Sequence, residues 1–120
     1  MIDIGFKDLN IFREAFVIPW HPKLINLALW VYGLDVRFVL TSAYREGDRG
    51  VHGTVPLRGF DLRSHVIPNP DIIEEMTNRH WQYDPKRPSK KVCMLHDVGK
   101  GIHFHFQVHP KTIKISGSDI

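Results

Sequence analysis

"GIHFHFQVHP", residues 101–110, places His103, His105 and His109 at intervals of two and four, with Phe104, Phe106 and Val108 between them. That alternation has the period of a half-buried strand. It predicts Phe104, Phe106 and Val108 in a core and His103, His105, Gln107 and His109 on the opposite face. A solvated face more usually carries Lys, Glu, Ser or Thr. Imidazoles in series therefore point toward chemistry, against the plainer reading of a polar face that happens to be histidine.

Three further segments read as strands. "VRFVLTSAY" (36–44) is rich in β-branched and aromatic residues, and "VCMLHDVG" (92–99) precedes the histidine segment. "GFDLRS" (59–64) puts Phe60 and Leu62 on one face, Asp61 and Arg63 on the other. "KLINLALWVYGL" (23–34) repeats Leu24, Leu27, Ala28 and Val31 at helical spacing, with Gly33 as terminator. "NPDIIEEMTNRHW" (69–81) predicts a second helix, capped by Asn69, with Pro70 first, Asp71 and Glu74 in the first turn, and Ile72, Ile73 and Met76 facing inward. The glycine-rich stretch 45–59 is expected as a loop, 84–91 as a solvated basic linker and 116–120 as a frayed tail. This order predicts a single α+β domain over 1–120, its core within about 20–110. A small antiparallel sheet would carry helices packed on one side.

The bulk composition agrees. The chain has 120 residues, 42% hydrophobic and 24% charged, enough for one core. Cys93 is the sole cysteine, which excludes an intrachain disulfide and a four-cysteine zinc site. Its neighbours Val92, Met94 and Leu95 mark it as a small buried apolar residue. A formal net charge of +3 suits anionic partners, nucleic acid and bacterial cell wall alike. "MIDIGFKDLN" shows no secretory signal, and the apolar stretch Leu27 to Leu34 is too short to span a bilayer. The expectation is synthesis in a cytoplasm without membrane contact.

Of the eight histidines, His52 lies in the glycine-rich loop just before the strand carrying Asp61, and His103 and His105 lie on the last strand. A catalytic zinc ion takes three nitrogen or oxygen ligands and keeps one position open. Two histidines and one carboxylate meet that need. Each piece is weak alone; all of them on strand faces opposite apolar ones is more specific.

Those residues carry a resemblance. "TSAYREGDRGVHGTVPLRGFDLRS" followed by "HFH" resembles the zinc metallopeptidases of the D-alanyl-D-alanine carboxypeptidase type, whose superfamily includes lysostaphin-like enzymes and the amino-terminal domain of hedgehog. The small form without a signal resembles phage-type members. The resemblance implies Zn2+ held by His52, Asp61 and His105 on the sheet face opposite the helices. It also implies His103 as general base or as a residue orienting a ligand or water. Arg45 would hold a substrate carboxylate or the developing oxyanion, the plainer alternative being a salt bridge with Asp48 or Glu46. Ser42 would assist substrate binding, His96 would line the pocket with Asp97 starting a turn, and His109 would give support from the strand end. His21, His65 and His80 are expected as surface residues. The chain departs from the family in a longer spacer between His52 and Asp61. Ile102 also stands where many members carry a glutamate base.

The implied function is hydrolysis of peptidoglycan stem peptides, by a D,D-carboxypeptidase or a lysis endopeptidase acting on the wall after release. One alternative is a metal-stabilised binding module without turnover. Another is a metal-dependent phosphoesterase, which generally needs more carboxylates than this chain offers. Nucleic acid is not an expected partner, because the basic clusters lack interleaved aromatic or base-reading motifs.

Overall fold

Phe104 and Phe106 are fully inaccessible to solvent, as the alternation in their segment requires. They belong to a strand, Ile102–Gln107, in a computed structural model that describes residues 4–97 and 101–115. In chain order the elements are β1 (Ile4–Phe6), α1 (Leu9–Phe16), α2 (Pro22–Tyr32), β2 (Phe38–Ser42), β3 (Gly59–Arg63), α3 (Pro70–His80), β4 (Trp81–Gln82), β5 (Cys93–Asp97), β6 (Ile102–Gln107) and β7 (Ile113–Lys114). A five-stranded sheet has the order β1-β2-β3-β6-β5, and β4 pairs with β7 in a small second sheet.

The α+β architecture is as expected, and the pairs β2–β3, β3–β6 and β5–β6 are antiparallel. The sheet is mixed, however, because β1 joins β2 in parallel. A parallel pair needs a crossover, and α1 and α2 supply it. Neither β1 nor α1 was among the expected elements. Asp8 caps α1 by accepting the Ile11 amide at 3.0 Å, and Ile11 and Ala15 turn inward. Leu9, Phe12 and Phe16 are exposed but adjoin Ile11 and Ala15 in one apolar arc, with Asn10, Arg13 and Glu14 opposite, so the helical pattern is present in the sequence.

One sheet face is apolar. Phe60 stacks on Phe106 at 5.0 Å, and Trp20 stacks on Phe60 at 5.4 Å. Leu24, Leu27 and Val31 of α2 are fully buried, and Tyr32 meets Phe38 edge-on. Cys93 is buried, and burial, with the charge of Glu74 added, pushes its thiol pKa far above the usual range. It is an inert core residue.

α3 forms where expected, but it is capped and turned differently. Asn69 adopts the left-handed conformation (φ 52°) and makes no capping hydrogen bond. Ile73 and Thr77 are the buried positions, whereas Ile72 is 50% exposed. The reason lies in β5, an edge strand whose backbone groups need partners. Glu74 accepts the Leu95 amide at 2.8 Å, so it serves the sheet and not its own first turn. Asn78 accepts from the Val92 and Cys93 amides and donates to the Cys93 carbonyl at 2.7 Å. Two polar residues of α3 thus close the sheet edge. The stretches 98–100 and 116–120, with the expected turn and tail, lie outside the described residues. No helix among the described residues is long and apolar enough to cross a membrane.

The edge closure is testable. Asn78→Ala leaves buried backbone groups of β5 without partners and is expected to destabilise the fold by about 2–4 kcal/mol. Urea unfolding measures the loss, and faster amide exchange at Cys93 localises it.

Candidate metal centre

β3 and β6 pair with Asp61 directly opposite His105, so both side chains leave the sheet on the face away from Phe60 and Phe106. His105 Nδ1 lies 2.9 Å from Asp61 Oδ1. His52 arrives from the glycine-rich loop, in a single 3-10 turn, Val51–Gly53, and its Nε2 lies 3.2 Å from the same oxygen. Arg45 N–H donates to the His52 carbonyl at 2.7 Å, and a side chain on Gly53 would collide with the Asp48 backbone. His52, Asp61 and His105 each offer a ligand atom, all within 4.8 Å of one another.

Hydrogen bonds behind the two rings decide what they present to Asp61. His52 Nδ1 lies 2.7 Å from the Ala43 carbonyl, which can only accept, so Nδ1 carries the proton. His105 Nε2 lies 3.1 Å from Gln107 Oε1. The Gln107 amide is oriented by its own Nε2, which donates to the Lys91 carbonyl at 2.8 Å, so Oε1 faces the ring and His105 Nε2 donates. In the neutral rings, His52 Nε2 and His105 Nδ1 are therefore bare lone pairs aimed at a carboxylate oxygen. Burial pushes the Asp61 pKa up, but when the facing nitrogens of His105 and His52 carry protons, the hydrogen bonds they donate outweigh it and hold the carboxyl well below the usual range. Three acceptors converge on one point and require a cation between them, whether protons or a metal ion.

The cluster opens onto a cleft of about 1040 Å³, whose wall includes Asp61, Thr41, Ser42, Arg45, His96 and His103. The β2–β3 register shifts between Leu40 and Ser42, and the extra residue lets Thr41 and Ser42 both line the cleft. His103 lies opposite Arg63, with its Nδ1 3.3 Å from Thr41 Oγ1. Ser42 Oγ is buried and has no hydrogen-bond partner. His96 packs its ring 5.3 Å from that of His105.

Other residues do not gather there. Arg45 is half exposed and pairs with Asp48 at 3.4 Å, the plainer of its expected roles, while still lining the cleft. His109 is not beside the cluster. Its Nδ1 accepts the Lys111 amide, its ring packs on Tyr83, and it lines a separate concavity, because β6 ends at Gln107. His21 and His80 have structural partners: His21 caps α2, and His80 approaches the Met76 carbonyl and the Trp30 ring. His65 belongs to the cleft wall. Gln107, Thr41 and the Ala43 carbonyl were not anticipated as orienting groups. Gln107 had a visible signal, two residues from His105 on the same face; a backbone carbonyl has none.

Fold and site together define an α+β domain with a His–Asp–His group able to hold a metal ion. No protein-family model, curated protein or solved structure matches the chain.

Replacing His105 by Ala is expected to abolish metal retention, since one of three ligands is gone. Gln107→Leu keeps every ligand but releases the His105 tautomer, and should weaken metal affinity by roughly 10–100-fold. Competition with a chromogenic chelator measures both; unchanged affinity in Gln107→Leu would refute the orienting role.

Proposed function

We propose that the protein is a zinc-dependent peptidase that hydrolyses peptidoglycan stem peptides. The observation that carries the reading is the convergence of His52 Nε2, His105 Nδ1 and Asp61 Oδ1 at the edge of a cleft that also holds His103 and Arg45. Two nitrogens and one oxygen suit zinc and leave a position open toward the cleft. The likeness of "TSAYR", His52, Asp61 and "HFH" to the carboxypeptidase type supports the substrate class. Zinc held there supplies Lewis-acid activation of water and of the scissile carbonyl.

The chain's own residues account for the remaining steps. With Nδ1 at Thr41, His103 has Nε2 free for the cleft. There it takes a proton from the attacking water and returns it to the leaving amine. That role replaces the missing glutamate, whose position Ile102 occupies. Ser42 lines the cleft, and rotation of its buried hydroxyl, without a partner among the described residues, brings it to the bound peptide. Arg45 retains guanidinium donors beyond its contact with Asp48 and receives a substrate carboxylate or the oxyanion. A wall substrate places the action outside the cytoplasm in which the chain is made, after release or delivery.

A muropeptide digest with zinc-loaded protein, with and without chelator, is the direct test. Cleavage that stops on chelation and returns with zinc is expected. His103→Ala should keep its metal and lose about two to four orders of magnitude in turnover. Loss of metal in that variant would reverse the roles of His103 and His105. Muropeptide binding without cleavage by the zinc-loaded wild type would replace the peptidase with a binding module.

Arg45 separates exo- from endopeptidase action. If it recognises a terminal carboxylate, Arg45→Lys raises KM for a free C-terminus and hardly changes the poor turnover of an amidated substrate. If it serves the oxyanion, kcat falls on both substrates alike.

A further inference from the structure

At the end of β3 and β6 away from His103 lies a second concavity, of about 810 Å³. Its wall includes His21, Thr54, Arg58, Tyr83, Arg87 and His109. It shares no lining residue with the metal cleft. Arg58 stands three positions before Asp61, roughly 10 Å along the strand.

The polar groups there are nearly all donors. His21 Nδ1 accepts the Lys23 amide at 3.1 Å, and His109 Nδ1 accepts the Lys111 amide at 3.1 Å. Each neutral ring therefore carries its proton on Nε2, the nitrogen left for the concavity. Arg58 spends one guanidinium nitrogen on a long 3.4 Å contact to the Val108 carbonyl and keeps the rest of its fork. Arg87 lies over the Tyr83 ring at 5.4 Å. Thr54 Oγ1 is committed, donating to Val51 and accepting from Arg58 N–H. No carboxylate lines the wall. The neighbouring Asp84 is engaged by the Lys86 amide and Arg87 Nε, each at 3.0 Å.

The local field is positive. The His21 pKa is lowered by burial and then by Lys23 and Arg58. Burial also lowers that of His109, and Arg87, Arg58 and Lys111 lower it further against the opposing pull of Asp84. Arg58 and Arg87 share one wall with the imidazole N–H donors, and that arrangement suits an anion. Its donors come from four separate segments: the cap of α2, the residue before β3, the basic stretch after β4 and the second residue after β6. Donors arriving from several directions match the tetrahedral oxygens of a phosphate better than a planar carboxylate, which a single arginine fork satisfies.

We propose that this concavity binds a phosphate group, with Arg58, His21 and His109 as principal donors and Arg87 in support. The site is independent of the metal and of the peptidase reading. The stretch 84–91 is then more than a solvated linker, because it contributes Arg87 to the wall.

The test titrates the full-length protein with inorganic phosphate and follows the imidazole resonances of His21 and His109 by NMR. Sodium chloride at matched ionic strength is the control. Saturable shifts with phosphate and not with chloride are expected, and Arg58→Gln should weaken binding about tenfold. Arg87→Gln changes a half-exposed side chain, provides a second variant should Arg58→Gln misfold, and should weaken binding about threefold. Equal shifts with chloride, or unchanged phosphate affinity in a folded variant of either arginine, would overturn the proposal. Parallel titrations with a glycerol phosphate monoester and with a glycerol phosphodiester distinguish a free metabolite from a polymer as the source of the group.

Discussion

Asp61 and His105 face each other across the β3–β6 ladder, and the register that joins them is enforced from the opposite side of the sheet. Phe60 pairs with Phe106 and Leu62 with Phe104, all four without solvent exposure. A slip by one residue would turn these side chains outward and the polar ones inward. Burial contributes roughly 1.5–3 kcal/mol for each large apolar side chain, so the aromatic layer fixes the register far more firmly than the polar cluster could. The candidate ligand atoms meet because phenylalanines on the other face have no tolerable alternative.

That division leaves the polar cluster free to be unfavourable in itself. His52 and His105 are buried, Asp61 nearly so, and their acceptor atoms converge. In a low-dielectric setting such a group is costly unless a cation neutralises it. A metal ion held there would relieve the conflict and return part of its binding free energy as folding free energy. The cost falls on a scaffold already held by its core, which keeps the three side chains together.

How much of this was legible in the sequence follows from where each signal resides. Period-two alternation in 101–110 and 59–64 revealed β3, β6 and their polar faces, because strand geometry maps sequence parity directly onto sheet face. His52, Asp61 and His105 could be named from ligand chemistry joined to that parity and to a family likeness. Three things were hidden. β1 is only three residues long, whereas α1, with Asp8 as cap and apolar residues at 9, 11, 12, 15 and 16 on one arc, carried a signal that went unread. The turn of α3 is dictated by unpaired amides on β5, a tertiary demand invisible in the local pattern of Ile72, Ile73 and Met76. His109 continues the parity of β6 on paper, but the strand ends at Gln107 and the ring departs toward Tyr83.

The unanticipated N-terminal helix has a place in the site's architecture. Glu14 of α1 accepts the Ala43 amide at 3.1 Å, and the Ala43 carbonyl accepts from His52 Nδ1 at 2.7 Å. The Ala43 residue, fully buried at the end of β2, is thus held on one side by a carboxylate from α1 and on the other by a metal-binding imidazole. A carboxylate accepting the amide N–H fixes the backbone there, and a fixed carbonyl keeps the proton on His52 Nδ1 and the lone pair on Nε2. His105 is handled the same way by Gln107 and the Lys91 carbonyl. One ring is set from α1 and the other from the segment preceding β5, so the two lone pairs are aligned by segments far apart in the chain. Their common target, Asp61, lies on β3 at the centre of the sheet order. Only the assembled sheet brings the two supports into register, which makes the ligand geometry a property of the whole fold and not of the motif alone.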